Sequence, residues 1–226
     1  MVPDPVRLFH ITAIDNLAHI CKANALLSKS AGVARGIAYQ NIAHAGAQGA
    51  CVGKMVPNPP GGTMHEYVPF YFAPRSPMLS AIHNRRVNNC SLLQGDILHF
   101  ETTVPQVAVL GRGIVFYDRN ATLMFSNAYT DLNLLSTTVD WNLLTEHPCL
   151  DGYCKYFQNR PAEPKYVDRM EKRQAEFLVR DHVPLASFSK IGVINQATAD
   201  KVAVILAAAG IKLAVEVKTD WYFLGQ

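Results

Sequence analysis

The sequence predicts an α+β fold, because many short strand-like segments occur with few helical ones. Strand patterns are spread along the whole chain, whereas helical patterns are confined to its beginning and to one late segment. The chain has 226 residues, of which 49% are hydrophobic, so it can bury one sizeable core. We therefore expect a single domain over residues 1–226.

The first predicted elements are a strand over residues 7–12 and a helix over residues 16–24. Asp15 is a favourable N-cap for this helix, whose apolar residues fall on one face. On residue type alone, a single histidine such as His10 at a strand end is more often structural than a ligand.

The aromatic stretch 67–72 predicts a buried strand that leads into a stiff turn. Pro69 cannot donate to a β-ladder, so it marks a strand edge, a bulge or the start of the strand. Pro74 and Pro77 fix φ twice within four residues. This turn is expected to hold Arg75 at the rim of the fold.

The remaining elements follow from similar patterns. Further strands are predicted at 96–101, 108–110, 114–117, 177–179, 189–194 and 214–217, and a helix at 197–209. Gly210 suits the end of the last helix. Residues 148–170 form a long polar segment without an apolar period, which is typical of a functional or disordered loop.

Charge, hydropathy and the N-terminal sequence indicate which classes of protein this chain fits, and they argue against a membrane-spanning or secreted one. The net charge of +3 permits nucleic-acid binding but does not argue for it. No apolar run is long enough to span a membrane, and the first residues lack the pattern of a signal peptide, so we expect a cytoplasmic protein.

Five scattered cysteines do not form a disulfide framework and suggest a reducing compartment. Cys149, Cys154 and His147 lie close in sequence but lack a fourth ligand, so no metal is expected.

Four motifs carry a resemblance to a known family. They are FHIT at 9–12 followed by DNL, YVPFYFAPRSPML at 67–79, QAEFLV at 174–179 and WYF at 221–223. These motifs resemble the DarT family, the DNA ADP-ribosyltransferase toxins of bacterial toxin–antitoxin pairs. The resemblance runs from about Leu8 to Phe223.

The resemblance implies the ADP-ribosyltransferase fold, with a split mixed β-sheet core, N-terminal helices and an NAD cleft between the two sheets. It implies transfer of ADP-ribose from NAD, as substrate, to a base of single-stranded DNA, with release of nicotinamide and a block to replication. Thymine is the favoured acceptor and guanine the alternative. The implied partners are single-stranded DNA and the macrodomain antitoxin DarG, with no membrane and a monomeric enzyme.

The resemblance also implies site residues. The catalytic residue is Glu176, because a fixed carboxylate stabilises the positive charge that develops on the ribose when its bond to nicotinamide breaks. Gln174 is expected to orient the substrate. NAD binding is assigned to His10, Ile11, Thr12, Asn16, His19, Leu27, Tyr71 and Met78. In particular, His10 is expected to hydrogen-bond the nicotinamide ribose and Tyr71 to stack on the nicotinamide.

Residues 28–53 are expected to lie over the NAD, and one position there departs from the family. Cys51 stands where DarT proteins have a catalytic arginine, and a thiol cannot supply the charged fork of a guanidinium. Three explanations stay open: Lys54 substitutes for that arginine, the alignment is shifted by a few residues, or this chain is an attenuated form.

DNA contacts are predicted from basic and aromatic residues, because basic groups contact phosphates and rings stack on bases. They are Lys54, Arg75, Arg85, Arg86, Tyr153, Tyr156, Arg169 and Arg173. Asn120 is also assigned to DNA binding, because the resemblance implies that its turn lies near the acceptor base, where it is expected to hydrogen-bond a flipped-out base. Two rival hypotheses remain, an ADP-ribosyltransferase that acts on RNA or protein and a non-catalytic module that binds NAD or DNA.

Overall fold

The computed structural model describes residues 1–42 and 53–224. The strands of these residues are β1 (Arg7–Ala13), β2 (Ala25–Leu27), β3 (Tyr67–Tyr71), β4 (Ile97–Thr103), β5 (Ile114–Tyr117), β6 (Ala128–Tyr129), β7 (Cys149–Leu150), β8 (Tyr153–Cys154), β9 (Glu176–Arg180), β10 (His182–Pro184), β11 (Lys190–Val193) and β12 (Ala214–Val217). The α-helices are α1 (Leu17–Ala23), α2 (Lys29–Ala34), α3 (Pro77–His83), α4 (Val104–Ala108), α5 (Leu135–Thr138), α6 (Trp141–Thr145), α7 (Arg169–Arg173) and α8 (Gln196–Ala208).

Eight strands form one mixed sheet in the order β12-β11-β4-β1-β3-β9-β5-β6. All neighbours are antiparallel except β11 and β12, which are parallel and are connected by helix α8. Two small sheets, β2 with β10 and β7 with β8, lie outside it. The predicted α+β class with a mixed sheet is confirmed.

In the large sheet, strands β1 and β3 are paired at a single position. Strand β1 pairs with β4 along its whole length, but it meets β3 only where Phe9 faces Tyr71. Pro69 lies in the middle of β3 and has no N–H to donate, which suits a strand that is bonded mainly on its other side, to β9. The Pro69 carbonyl instead accepts a hydrogen bond from the His10 ring at 2.8 Å.

Aromatic side chains fill the core beneath this sheet. Phe72 meets Trp141 and Phe177 edge to face, and Phe116 stacks on Phe177. The C-terminal Trp221 packs on Gly192, where an added Cβ would lie 2.1 Å from the indole ring. Trp221, Tyr222 and Phe223 are all buried, as a structural role requires.

Three sequence-based expectations are wrong. Residues 108–110 do not form a strand, since Ala108 ends helix α4 and residues 109–110 follow it; Thr103 caps that helix and Pro105 favours its first turn. The polar segment 148–170 is not structureless, since it contains the β7–β8 hairpin and the start of α7. At the N-terminus, Asp15 lies in a 3-10 turn and does not cap α1.

The described cysteines, Cys21, Cys90, Cys149 and Cys154, are all reduced. Within residues 1–42 and 53–224, no cluster of His, Cys, Asp or Glu side chains is arranged to hold a metal ion. In the same residues no helix has the length and apolar character needed to cross a bilayer.

Candidate active site

A cavity of about 430 Å³ opens beside the junction of β1, β3 and β9. This volume falls within the range of small-molecule sites. Residues 37–42 form part of its wall, together with side chains from β2 and α2. Seven predicted site residues line it: His10, Ile11, Thr12, Asn16, Leu27, Met78 and Glu176.

Glu176 begins strand β9 and lies in the cavity wall. One carboxylate oxygen accepts a hydrogen bond from the Ala121 N–H at 3.2 Å. Removal from water raises the pKa of Glu176 to about 7, although this hydrogen bond and the positive charge of Lys54 both oppose the rise. The side chain can therefore exchange a proton near neutral pH.

His10 presents a neutral imidazole to the cavity. Its Nδ1–H donates to the Pro69 carbonyl at 2.8 Å, which leaves Nε2 as the acceptor nitrogen of the neutral ring. Burial lowers the pKa of His10, which favours this neutral form.

Asn16 fixes the segment that closes one side of the cavity. Its side-chain amide donates to the Gln40 carbonyl at 3.0 Å, and its carbonyl oxygen accepts from the Gln40 N–H at 2.7 Å. The same amide donates to the Thr12 hydroxyl at 3.0 Å. The predicted site role of Asn16 thus has a structural basis, since it anchors residues 37–42 to strand β1.

Residues 118–127, here the β5–β6 loop, are fastened to the active site. Asn120 donates through its side chain to the Gln174 side chain at 2.8 Å, and its backbone N–H donates to the Glu171 carbonyl at 2.9 Å. Asn120 and Gln174 were both predicted to contact substrate, but here they bind each other. They hold Ala121 in position to donate to Glu176.

Lys54 lies close to this loop. Its ammonium donates to the Leu123 carbonyl at 2.8 Å and lies 5.9 Å from the centre of the Tyr117 ring. Cys51, the position of the family arginine, lies outside the described residues. Of the two residues discussed for that role, Lys54 contributes a positive charge that acts on Glu176.

Two predicted NAD-binding residues do not line the cavity. His19 is exposed, and its ring meets Tyr39 edge to face at 6.5 Å. Tyr71 is half-buried and pairs with Glu176 across strands β3 and β9. The aromatic ring that strand β3 contributes to the cavity is that of Tyr67.

Four predicted DNA-contacting residues are internal, which is a correction. Arg75, Tyr153, Arg169 and Arg173 are each at most 4% exposed. The Arg75 guanidinium lies over the Phe223 ring at 4.5 Å, and burial lowers the pKa of Arg173 to about 10.

The contacts of Arg169 show how a buried positive charge is stabilised in this fold. It pairs with Glu146 at 2.5 Å and donates to the Cys154 sulfur at 3.0 Å. Tyr153 contributes its ring to the core, where it packs on Phe9. These groups hold segment 148–173 to the domain, so they cannot form the predicted DNA surface.

Arg85, Arg86 and Tyr156 are exposed, as a DNA-binding role requires. The Tyr156 ring lies 5.8 Å from the Arg160 guanidinium, which gives a mixed cationic and aromatic surface. Because Arg75 is buried, it does not share one surface with Arg85 and Arg86. Their contact with DNA stays a prediction.

Sequence reasoning missed several residues of the cavity wall, namely Lys29, Tyr39, His65 and Tyr67. The Tyr39 hydroxyl and His65 Nε2 are buried and have no hydrogen-bond partner among residues 1–42 and 53–224. Burial, together with the charge of Lys29, lowers the pKa of His65. Lys29, Tyr39 and His65 lie in segments without a motif, whereas Tyr67 begins the motif at 67–79, and the fold brings all four together.

The sequence of this chain is similar to those of known proteins. Residues 9–223 match the family model described as ssDNA thymidine ADP-ribosyltransferase, DarT. A DNA ADP-ribosyl transferase of Thermus sp. (strain 2.9) is 34% identical, over 98% of each chain.

Solved structures agree with that match. Thermus sp. 2.9 DarT in complex with ADP-ribosylated ssDNA superposes with a TM-score of 0.86, 32% identity and 99% coverage of both chains. The same protein in complex with NAD+ gives a TM-score of 0.81, over 99% of this chain and 100% of that one, also at 32% identity.

Proposed function

Since this chain belongs to the DarT family of single-stranded-DNA ADP-ribosyltransferases, we propose that it transfers ADP-ribose from NAD⁺ to thymine and releases nicotinamide. It is an NAD-dependent DNA ADP-ribosyltransferase with the ADP-ribosyltransferase fold. The choice of thymine follows the description of the matching family.

The observation that carries the proposal is the environment of Glu176. A carboxyl group with a pKa of about 7 lies in the wall of the cavity beside the neutral His10. When NAD⁺ fills the cavity, cleavage of its glycosidic bond builds positive charge on the ribose. A carboxylate held by the Ala121 N–H can stabilise that charge without moving.

The same carboxylate can act as the base. In a thymine nucleotide the ring nitrogen that carries a proton is N3. Glu176 accepts that proton, N3 forms the bond to the ribose carbon, and the bond between that carbon and nicotinamide breaks. Nicotinamide leaves as a neutral molecule because the electron pair of the broken bond neutralises its pyridinium charge.

His10 and Asn16 position the substrate in this proposal. The Nε2 atom of His10 accepts a hydrogen bond from a ribose hydroxyl, because its Nδ1–H is committed to Pro69. Asn16 keeps residues 37–42 against the cavity through Gln40. The acceptor must be single-stranded, because a stacked and paired base cannot reach a carbon inside the cavity.

The biological setting is part of the same proposal. ADP-ribosylated bases in single-stranded DNA block replication, so the chain acts as a toxin, and a macrodomain antitoxin, DarG, reverses the modification. We place the reaction in the bacterial cytoplasm, where NAD⁺ and replicating DNA occur together, and we propose that one copy of the single domain suffices.

The test is transfer of labelled ADP-ribose from NAD⁺ to single-stranded oligonucleotides that differ in one base. The wild-type chain is compared with Glu176→Ala and Cys51→Arg. Labelling of thymine-containing DNA that falls at least about 100-fold in Glu176→Ala supports the proposal.

Control substrates are an RNA of the same sequence and a protein mixture. Labelling confined to guanine would correct the acceptor base. Labelling that appears only in Cys51→Arg would show an attenuated chain. Labelling of RNA or protein but not DNA by either active form would refute the proposed acceptor.

A further inference from the structure

The β5–β6 loop carries an exposed apolar tip. Met124 is 99% exposed and Phe125 is 60% exposed. Neighbouring apolar side chains that both face solvent beside an active site typically mark a contact surface. The tip is therefore a candidate surface for binding a molecule, or a part of one, that lies outside the cavity.

The tip lies near the reacting group because the base of the loop is fixed to it. Ala121 donates to Glu176 at 3.2 Å, and the Ser126 N–H donates to the Leu123 carbonyl at 3.3 Å, which turns the chain back. The four residue-to-residue steps from Ala121 to Phe125 span at most about 14 Å. At about 3.4 Å per base along a DNA strand, this corresponds to about four nucleotides.

The side chains at the tip favour contact with the flat face of a nucleobase. The Arg119 guanidinium lies over the Phe125 ring at 5.3 Å. Arg119 also pairs with Asp118 at 3.4 Å and with Asp168 at 3.5 Å. Because these carboxylates offset its charge, the surface fits a flat neutral ring better than a phosphate.

We propose that Phe125, with Met124 beside it, stacks on a nucleobase within about four nucleotides of the acceptor base in single-stranded DNA. The stack holds the strand so that the acceptor base meets Glu176. This inference rests on the proposed function, because it takes single-stranded DNA as the acceptor. Phe125 acts as a positioning residue and does not touch the reacting atoms.

The experiment uses the full chain and a fluorescein-labelled single-stranded oligonucleotide with one thymine. Binding is measured by fluorescence anisotropy without NAD⁺ for the wild type, Phe125→Ala and Phe125→Tyr. Val109→Ala is the matched control, because Val109 is 84% exposed and lies outside the loop. Loss of one base–aromatic stack is expected to weaken binding by Phe125→Ala about 5- to 150-fold.

Phe125→Tyr keeps the ring and is expected to bind within about twofold of the wild type, as is Val109→Ala. The shift in melting temperature on addition of NAD⁺ checks that the cavity is intact in each variant. Unchanged DNA binding in Phe125→Ala would overturn the inference. So would loss of the NAD⁺-induced shift, because Phe125 would then support the fold of the loop.

The two proposals fail in different ways. If the wild type labels thymine but Phe125→Ala binds DNA normally, the proposed function stands and the stacking role is wrong. If the wild type labels no base but Phe125→Ala still weakens DNA binding, the proposed function fails and the stacking surface stands. If Phe125→Ala weakens binding of the macrodomain antitoxin but not of DNA, the tip is a protein-docking surface and the inference is overturned.

Discussion

Replacement of Glu176 by glutamine tests whether burial raises the pKa of this carboxyl. The pKa rises from 4.5 to about 7 in the folded protein. At 1.36 kcal/mol per pKa unit, this difference corresponds to about 3 kcal/mol. A raised pKa in an acid means that the folded state binds the proton more tightly than the unfolded state.

The contribution to stability is therefore fully present below pH 4.5 and is lost as pH rises through 7. Glu176→Gln removes this titration while its side-chain oxygen can still accept from the Ala121 N–H. We expect the variant, relative to the wild type, to gain up to about 3 kcal/mol in free energy of unfolding between pH 4.5 and pH 8.

The assay is urea unfolding of both proteins at several pH values, without NAD⁺. Glu163→Gln is the control, because Glu163 is half-exposed and pairs only with Arg160 among the described ion pairs. Its stability difference from the wild type should change by less than about 0.5 kcal/mol over the same range. A Glu176→Gln difference that does not grow with pH would refute the reasoning.

Three further predictions concern other parts of the fold. Asn16→Ala should raise KM for NAD⁺ about 5- to 150-fold with a smaller change in kcat, since loss of its hydrogen bonds costs about 1–3 kcal/mol. An unchanged KM in steady-state kinetics would contradict its anchoring role. Arg169→Ala should lower the free energy of unfolding by about 1–3 kcal/mol, because it removes the hydrogen bonds of a buried guanidinium to Glu146 and Cys154. In anisotropy the folded fraction should bind DNA normally, and a DNA-binding defect at full stability would contradict the burial. Gly192→Ala should cost about 1–3 kcal/mol or more in chemical denaturation, because the new Cβ meets Trp221 at 2.1 Å, and a neutral result would contradict the packing.

Much of the fold follows from local patterns. Strands β1, β3, β9 and β12 and helix α8 lie within about two residues of their predicted bounds. Helix α8 shows why, since Asn195 caps its first turn and Gly210 follows its end with φ of +68°. Such signals lie within a few residues of the element that they define.

Other elements could not be predicted in this way. Strands β2 and β10 are three residues long and are defined by their pairing with each other, although more than 150 residues separate them in sequence. Residues 108–110 were predicted as a strand, because a short apolar run has the same composition at the end of a helix as in a buried strand.

The sequence by itself determined the family, the position of Glu176 at the start of a strand, and six of the eight assigned NAD-binding residues as part of the cavity wall. The tertiary structure alone decided which charged side chains are internal. The sequence predicts Arg169 as a surface cation in a polar segment, yet its side chain is buried and pairs with Glu146, which lies 23 residues away. Charge in a sequence does not show whether a long side chain faces water or a carboxylate across the fold, because desolvation and pairing depend on distant contacts.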